Sequence, residues 1–249
     1  MQRKLLYFPP QNYLSASDVG LANMAEIPFS INGIETTSWW SAPVDDIKPV
    51  ILFFHGNGSA VYSNYDIFGD LIAQGYGVLS VGYPGYPHKG MDATGPNGGP
   101  SQDKILAVAI KNHEFISGEN ITPDRIVYFG TSLGSGIASQ LAAIHPPQLL
   151  ILDAPFNSIL DMAKKRAPFL PVSLLMQDRF ESDKALAGRD VTLIWMHGTD
   201  DRIVPIAQGQ KLYDGYDGPK TAYIIHRGQH TNLWGLGGRD IVLRALSQL

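Results

Sequence analysis

The chain has 249 residues, 44% hydrophobic and 17% charged, with a formal net charge of -4 at pH 7. That balance fits a folded enzyme-sized domain with a sizeable core, and its slight acidity offers no field for a polyanion, which argues against nucleic acid as a partner. Cysteine is absent, so disulfides, thiolate catalysis and zinc–thiolate sites are ruled out.

The amino end opens with Met1-Gln2-Arg3-Lys4 and a short apolar stretch, Leu5-Leu6-Tyr7-Phe8, that Pro9-Pro10 stops. This is too short for a signal-peptide core or a membrane span, so a soluble, cytoplasmic protein is expected. Residues 27–43 mix polar and apolar positions around Asn32-Gly33, which predicts an antiparallel hairpin extending one edge of a sheet. From about residue 50, β-rich runs at 50–54, 78–83, 125–129, 149–153, 191–196 and 221–225 alternate with helical stretches near 62–74, 101–117, 133–145, 206–214 and 238–248. Most of the strands are near-continuous apolar runs, the pattern of a parallel sheet covered on both faces. One α/β domain over residues 1–249 follows.

Two segments break the alternation. Residues 84–100 are rich in Gly and Pro, and residues 155–190 hold Pro168 and Pro171 between two strands. The second is long enough for a pair of short helices and reads as a short cap-like insertion, too small for a large lid. Together, 84–100 and 155–180 are expected to wall the site, with Tyr83, Tyr86 and Phe156 as candidates to bind an acyl group and Phe169, Leu170 and Leu174 as further lining.

The chemistry centres on Ser132. It stands in Gly130-Thr131-Ser132-Leu133-Gly134, directly after the strand 125–129 and directly before a helix. This is the context of a nucleophile elbow, where a sharp strand-to-helix turn lifts the hydroxyl above the sheet and small neighbours are sterically required. The fold class expected is therefore the α/β-hydrolase fold, in which the partners follow in the order Ser, Asp or Glu, His.

Four histidines follow Ser132, and His230, in a loop after the last strand, is the preferred base, with His226 as the alternative. For the orienting acid, the strand 191–196 runs into His197-Gly198-Thr199-Asp200-Asp201, where adjacent side chains diverge and only one can meet the imidazole. The Gly-x-x-Asp-x-x-Val-Pro spacing favours Asp201, with Asp200 and Asp153 as alternatives. Oxyanion donors are backbone amides: that of Leu133, after the nucleophile, and that of Asn57, in the open turn His55-Gly56-Asn57-Gly58.

Phe54-His55-Gly56-Asn57-Gly58, Gly130 to Gly134, Asp153-Ala154-Pro155-Phe156-Asn157-Ser158, Asp178-Arg179-Phe180, His197 to Asp201 with Val204-Pro205, and Gly228-Gln229-His230-Thr231-Asn232 run in order over residues 50–233. In this set the chain resembles the small, minimally capped α/β-hydrolases of the abhydrolase-domain depalmitoylase and serine aminopeptidase-like group. The resemblance implies Ser132, Asp201 and His230 as triad, with Asn57 and Leu133 as oxyanion hole. The chain departs from the group after residue 82, where Tyr83-Pro84-Gly85-Tyr86-Pro87 stands in place of Tyr-Arg-Gly-Tyr-Gly.

The expected activity is hydrolysis of a carboxylic ester or thioester through an acyl-enzyme, on a small-molecule or acyl-ester substrate, with neither cofactor nor metal. Acyl transfer on the same residues, or a non-catalytic binding protein that retains the fold, are the alternatives.

Overall fold

The computed structural model describes residues 3–90 and 99–249. Two short helical turns come first, α1 (Arg3–Leu6) and a 3-10 turn (Ser17–Val19), neither marked by any periodicity because each is shorter than the repeat it would have to display. The expected hairpin follows as β1 (Ala25–Ile31) and β2 (Ile34–Ser41). Its turn places Asn32 at φ 50° and Gly33 at φ 76°, the two left-handed residues of a type I′ connection.

The alternating part consists of β3 (Val50–Phe54), α2 (Tyr65–Ala73), β4 (Gly77–Ser80), α3 (Gln102–Gly118), β5 (Ile126–Thr131), α4 (Leu133–Ile144) and β6 (Leu149–Asp153). Three short helices, α5 (Ile159–Arg166), α6 (Val172–Leu175) and α7 (Ser182–Leu186), occupy the insertion where a pair was expected. Then come β7 (Leu193–Gly198), α8 (Ile206–Gly215), β8 (Lys220–Ile225) and α9 (Gly238–Leu246). The strands form one sheet in the order β1-β2-β4-β3-β5-β6-β7-β8, antiparallel through β1, β2 and β4 and parallel from β4 to β8. This is the α/β-hydrolase fold.

The apolar runs are explained by the two faces they serve. Val50, Leu52 and Phe54 of β3 join Tyr128 of β5, Leu150 and Leu152 of β6, and Ile105, Val108, Ile137 and Leu141 of α3 and α4 on one face. Ile51, Phe53, Val127, Phe129 and Ile151 point the other way, to Ile67, Phe68 and Leu71 of α2 and Val242 and Leu246 of α9. A strand buried on both sides has no polar residues to alternate with.

β4 lies on one side of β3 and β5 on the other, so the helix after β3 packs on one face and the helix after β5 on the opposite face. A crevice opens between them at the carboxyl ends of the strands, where ligands bind in sheets of this kind. The turn after β3 and the turn after β5 both end there.

Candidate active site

Ser132 has φ 50° and ψ -115°, a conformation that L-residues avoid unless the surroundings impose it. Neighbouring contacts do so here. The Ser132 amide donates to the Asp153 carbonyl at 2.9 Å, tying the turn to the end of β6, and the Ser135 hydroxyl donates to the Ser132 carbonyl at 2.6 Å. A Cβ on Gly130 would stand 2.4 Å from the Gly134 carbonyl oxygen, and one on Gly134 would stand 2.0 Å from that of Phe54. Both distances lie far inside contact range, so glycine is required at both flanks of the elbow.

His230 Nε2 lies 2.9 Å from Ser132 Oγ, and His230 Nδ1 lies 2.7 Å from Asp201 Oδ2. With the ring proton on Nδ1, donated to the carboxylate, Nε2 accepts from the serine hydroxyl. The Asp201 and His230 loops are brought together by two glycines: a Cβ on Gly198 would be 2.1 Å from the Gly228 carbonyl oxygen. Three bonds lace the loops, from Thr199 N to Ile225 O, Asp200 N to Gly228 O and Arg227 N to Thr199 Oγ1.

Of the adjacent carboxylates, Asp201 turns inward and Asp200 stays exposed, accepting only from the Thr199 hydroxyl among the described residues. Asp201 Oδ1 accepts from the Ile203 and Val204 amides at 2.8 and 2.9 Å, which fixes the carboxylate plane. Burial works against its charge, but hydrogen bonds from His197, His230 and the Val204 amide outweigh burial and hold the carboxyl well below the usual carboxylate range. His226 is exposed at the end of β8, and His145 stacks on His113 at the far end of α4.

Asp153 ends β6 beside this group with its Oδ1 buried, and burial of the carboxyl pushes it up to about 7 against the nearby His230 and His197. Its Oδ1 has no hydrogen-bond partner among the described residues. His197, which the motif reading passed over, is buried behind Asp201: Trp195 Nε1 donates to its Nδ1 at 3.2 Å, leaving Nε2–H to face the Val204 carbonyl at 2.9 Å and Asp201 Oδ2 at 3.4 Å. A buried histidine at a strand end carries no signal in sequence that separates this bracing position from ordinary core.

The opposite wall is the turn His55 to Gly58. A Cβ on Gly56 would meet Ser132 Cβ at 3.6 Å, so this backbone runs directly alongside the serine. Tyr83, Tyr86 and Phe156, expected to line an acyl pocket, are instead buried to about 1% exposure and present no wall. The hydroxyl of Tyr83 donates to the His55 carbonyl and that of Tyr86 lies 3.0 Å from both the carbonyl and Oδ1 of Asn57, while the Tyr83 ring stacks on His55 at 3.8 Å. A tyrosine this deep must satisfy its hydroxyl, and backbone of the neighbouring turn is what it finds. Phe156 packs on α4, where a Gly136 Cβ would come within 2.9 Å of its ring. Of the expected wall 84–100, residues 91–98 lie outside the described residues. Phe169, Leu170 and Leu174 project outward, all exposed.

The N-terminal segment also reaches the site. Asn57 Nδ2 donates to the Leu6 carbonyl at 2.5 Å and the Phe8 amide donates to Asn57 Oδ1 at 3.0 Å. Arg3 pairs with Asp178 at 2.8 Å, and Tyr7 meets Phe180 edge-on. No group of three or more His, Asp or Glu able to hold a metal ion occurs among the described residues, and no helix among them is long and apolar enough to cross a membrane.

Sheet order, elbow and loops together define an α/β-hydrolase-fold protein. No protein-family model matches the chain. An uncharacterized protein of Mycobacterium tuberculosis is 29% identical over 253 residues, covering 99% of this chain and 88% of its own. Lysophosphatidylserine lipase ABHD12 of Danio rerio is 28% identical over 71% of this chain, which spans 49% of that relative's length. Among solved structures, the Pyrococcus furiosus esterase Pf2001 superposes with a TM-score of 0.72 at 16% identity, over 96% of this chain and 97% of its own. The chain is thus an α/β-hydrolase-fold protein similar in sequence to ABHD12.

Proposed function

We propose that the chain is a serine hydrolase that cleaves a carboxylic ester or thioester by way of an acyl-enzyme. The observation that carries this reading is the continuous hydrogen-bonded path from Ser132 Oγ through His230 to Asp201 Oδ2, at 2.9 and 2.7 Å. The lipase and esterase names of the similar proteins support hydrolysis as the reaction class.

Ser132 Oγ attacks the acyl carbon as its proton passes to His230 Nε2, and the imidazolium that forms is stabilised by Asp201 through Nδ1–H. The carbonyl oxygen becomes an oxyanion and takes hydrogen bonds from the Leu133 and Asn57 amides. Collapse of the tetrahedral intermediate expels the alkoxide or thiolate, which receives the proton held on Nε2. His230 then removes a proton from water, hydroxide adds to the acyl carbon, and the second collapse frees the acid and restores Ser132.

The raised Asp153 carboxyl lies close to this group but accepts no bond from His230, which supports Asp201 as the orienting acid. A fluorophosphonate probe tests the proposal. Labelling should fall on Ser132, and Ser132→Ala should abolish both labelling and ester or thioester turnover, by on the order of 10³-fold or more, with the fold intact. A folded Ser132→Ala variant that keeps its activity would remove the mechanism, and absence of labelling in folded wild-type protein would favour a non-catalytic role.

A further inference from the structure

Phe169 is 97% exposed and Leu174 86%, with Leu170 and Leu175 also exposed beside them. Four large apolar side chains within seven residues are not the scattered surface leucines of an ordinary protein. They crown the insertion between β6 and β7, which leaves the sheet at the end that carries Ser132, since Ser132 and Asp153 are bonded there. The protrusion is an ordered one. Arg179 folds it back by donating from Nε to the Met176 carbonyl at 3.0 Å and from Nη2 to the Ser173 carbonyl at 2.6 Å, while Asp178 at its base is paired with Arg3. Backbone bonds from Leu170 to Ala167 and from Leu174 to Pro171 close its turns.

Directly before the apolar tip, α5 ends in Lys164-Lys165-Arg166, all three exposed and none paired with an acidic side chain among the described residues. The acidic group of the same helix, Asp161, is already neutralised by Lys211. A chain with a net charge of -4 therefore presents a local block of free positive charge against an apolar crest. The crest is narrow: seven residues cannot supply the roughly 800 Å² per partner that a stable protein interface needs. Apolar side chains that enter an acyl region beside cations that meet headgroup phosphates are what an anionic bilayer surface requires.

We propose that residues 164–175 form a peripheral docking site for an anionic lipid surface, with Phe169, Leu170, Leu174 and Leu175 entering the bilayer interface and Lys164, Lys165 and Arg166 pairing with lipid phosphates. The inference stands apart from the hydrolase chemistry, because vesicle binding is read without turnover.

The test is cosedimentation of the full chain with vesicles of phosphatidylcholine alone and of phosphatidylcholine mixed with phosphatidylglycerol. Wild-type protein should partition onto the mixed vesicles, more weakly onto neutral ones, and less as salt is added. Lys164→Gln/Lys165→Gln/Arg166→Gln should lower the partition constant for mixed vesicles on the order of 100-fold. Phe169→Ser/Leu174→Ser should lower it by at least about tenfold on either vesicle. All of these side chains are exposed, and circular dichroism checks that both variants remain folded. No binding by wild type, or binding that both variants retain, overturns the proposal. So does a wild-type dimer in sedimentation velocity that Phe169→Ser/Leu174→Ser dissolves, which would assign the crest to a second copy of the chain.

Discussion

Replacing Asp201 by Asn tests the proposed chemistry at the point where the structure is most specific. Asp201 Oδ1 accepts the Ile203 and Val204 amides, so an asparagine must keep its carbonyl oxygen on that side or leave two amide protons facing an NH₂ group. Kept that way round, it turns its NH₂ toward His230 Nδ1, where the carboxylate now accepts at 2.7 Å. The ring can meet a donor there only by giving up the Nδ1 proton, which moves to Nε2 and points at Ser132. His230 in that tautomer cannot take the serine proton. A loss of about 10⁴-fold in kcat is expected, or about 5.5 kcal/mol of barrier, with Tm lowered by loss of the carboxylate's bonds from His197 and His230 but the fold kept by the two backbone bonds. Asp200→Asn, which alters an exposed carboxylate, should stay within about tenfold of wild type. The assay is steady-state hydrolysis of p-nitrophenyl butyrate alongside the rate of fluorophosphonate labelling, with thermal melts of both variants. If folded Asp201→Asn keeps more than about a tenth of wild-type kcat, or if Asp200→Asn is the more damaged, the tautomer argument fails.

Gly134→Ala should lower Tm sharply or prevent folding, because its Cβ would stand 2.0 Å from the Phe54 carbonyl oxygen in a central strand; a wild-type melt would show that the elbow has slack. Asp153→Asn should raise stability at neutral and alkaline pH. The folded carboxyl titrates near 7 and the unfolded one near 3.8, so the wild-type contribution is full below 3.8, declines as pH rises to about 7, and the variant lacks that decline. The difference is at most about 4 kcal/mol, and melts at about pH 4 and about pH 8 should show the gain only at the higher pH. Asn57→Ala removes the side chain that holds Leu6, Phe8 and Tyr86, and should cost about 1–3 kcal/mol of stability and lower kcat more than it raises KM. An Asn57→Ala variant with unchanged melt and kcat would show that this clasp neither braces the turn nor positions its amide.

Much of the fold is legible in the sequence because its causes are local. The central strands read as continuous apolar runs since both their faces are covered, and Asn32-Gly33 announces the hairpin because two adjacent left-handed residues are needed there. Gly130 and Gly134 mark the elbow for the same kind of reason: the close approach of backbone at those two positions admits no side chain. Tertiary structure alone decides what depends on contacts distant in the chain. Asp201 and Asp200 are neighbours of the same type, and only the meeting of Gly198 with Gly228 determines which of them faces His230. Tyr83 and Tyr86 look like pocket residues until the turn at His55–Asn57 takes up their hydroxyls, and no periodicity could reveal that Leu6 and Phe8 clasp Asn57. Composition cannot separate a core phenylalanine from an exposed one either. Phe156 and Phe169 are the same residue type, and only the packing of the insertion buries the first against α4 and leaves the second in solvent.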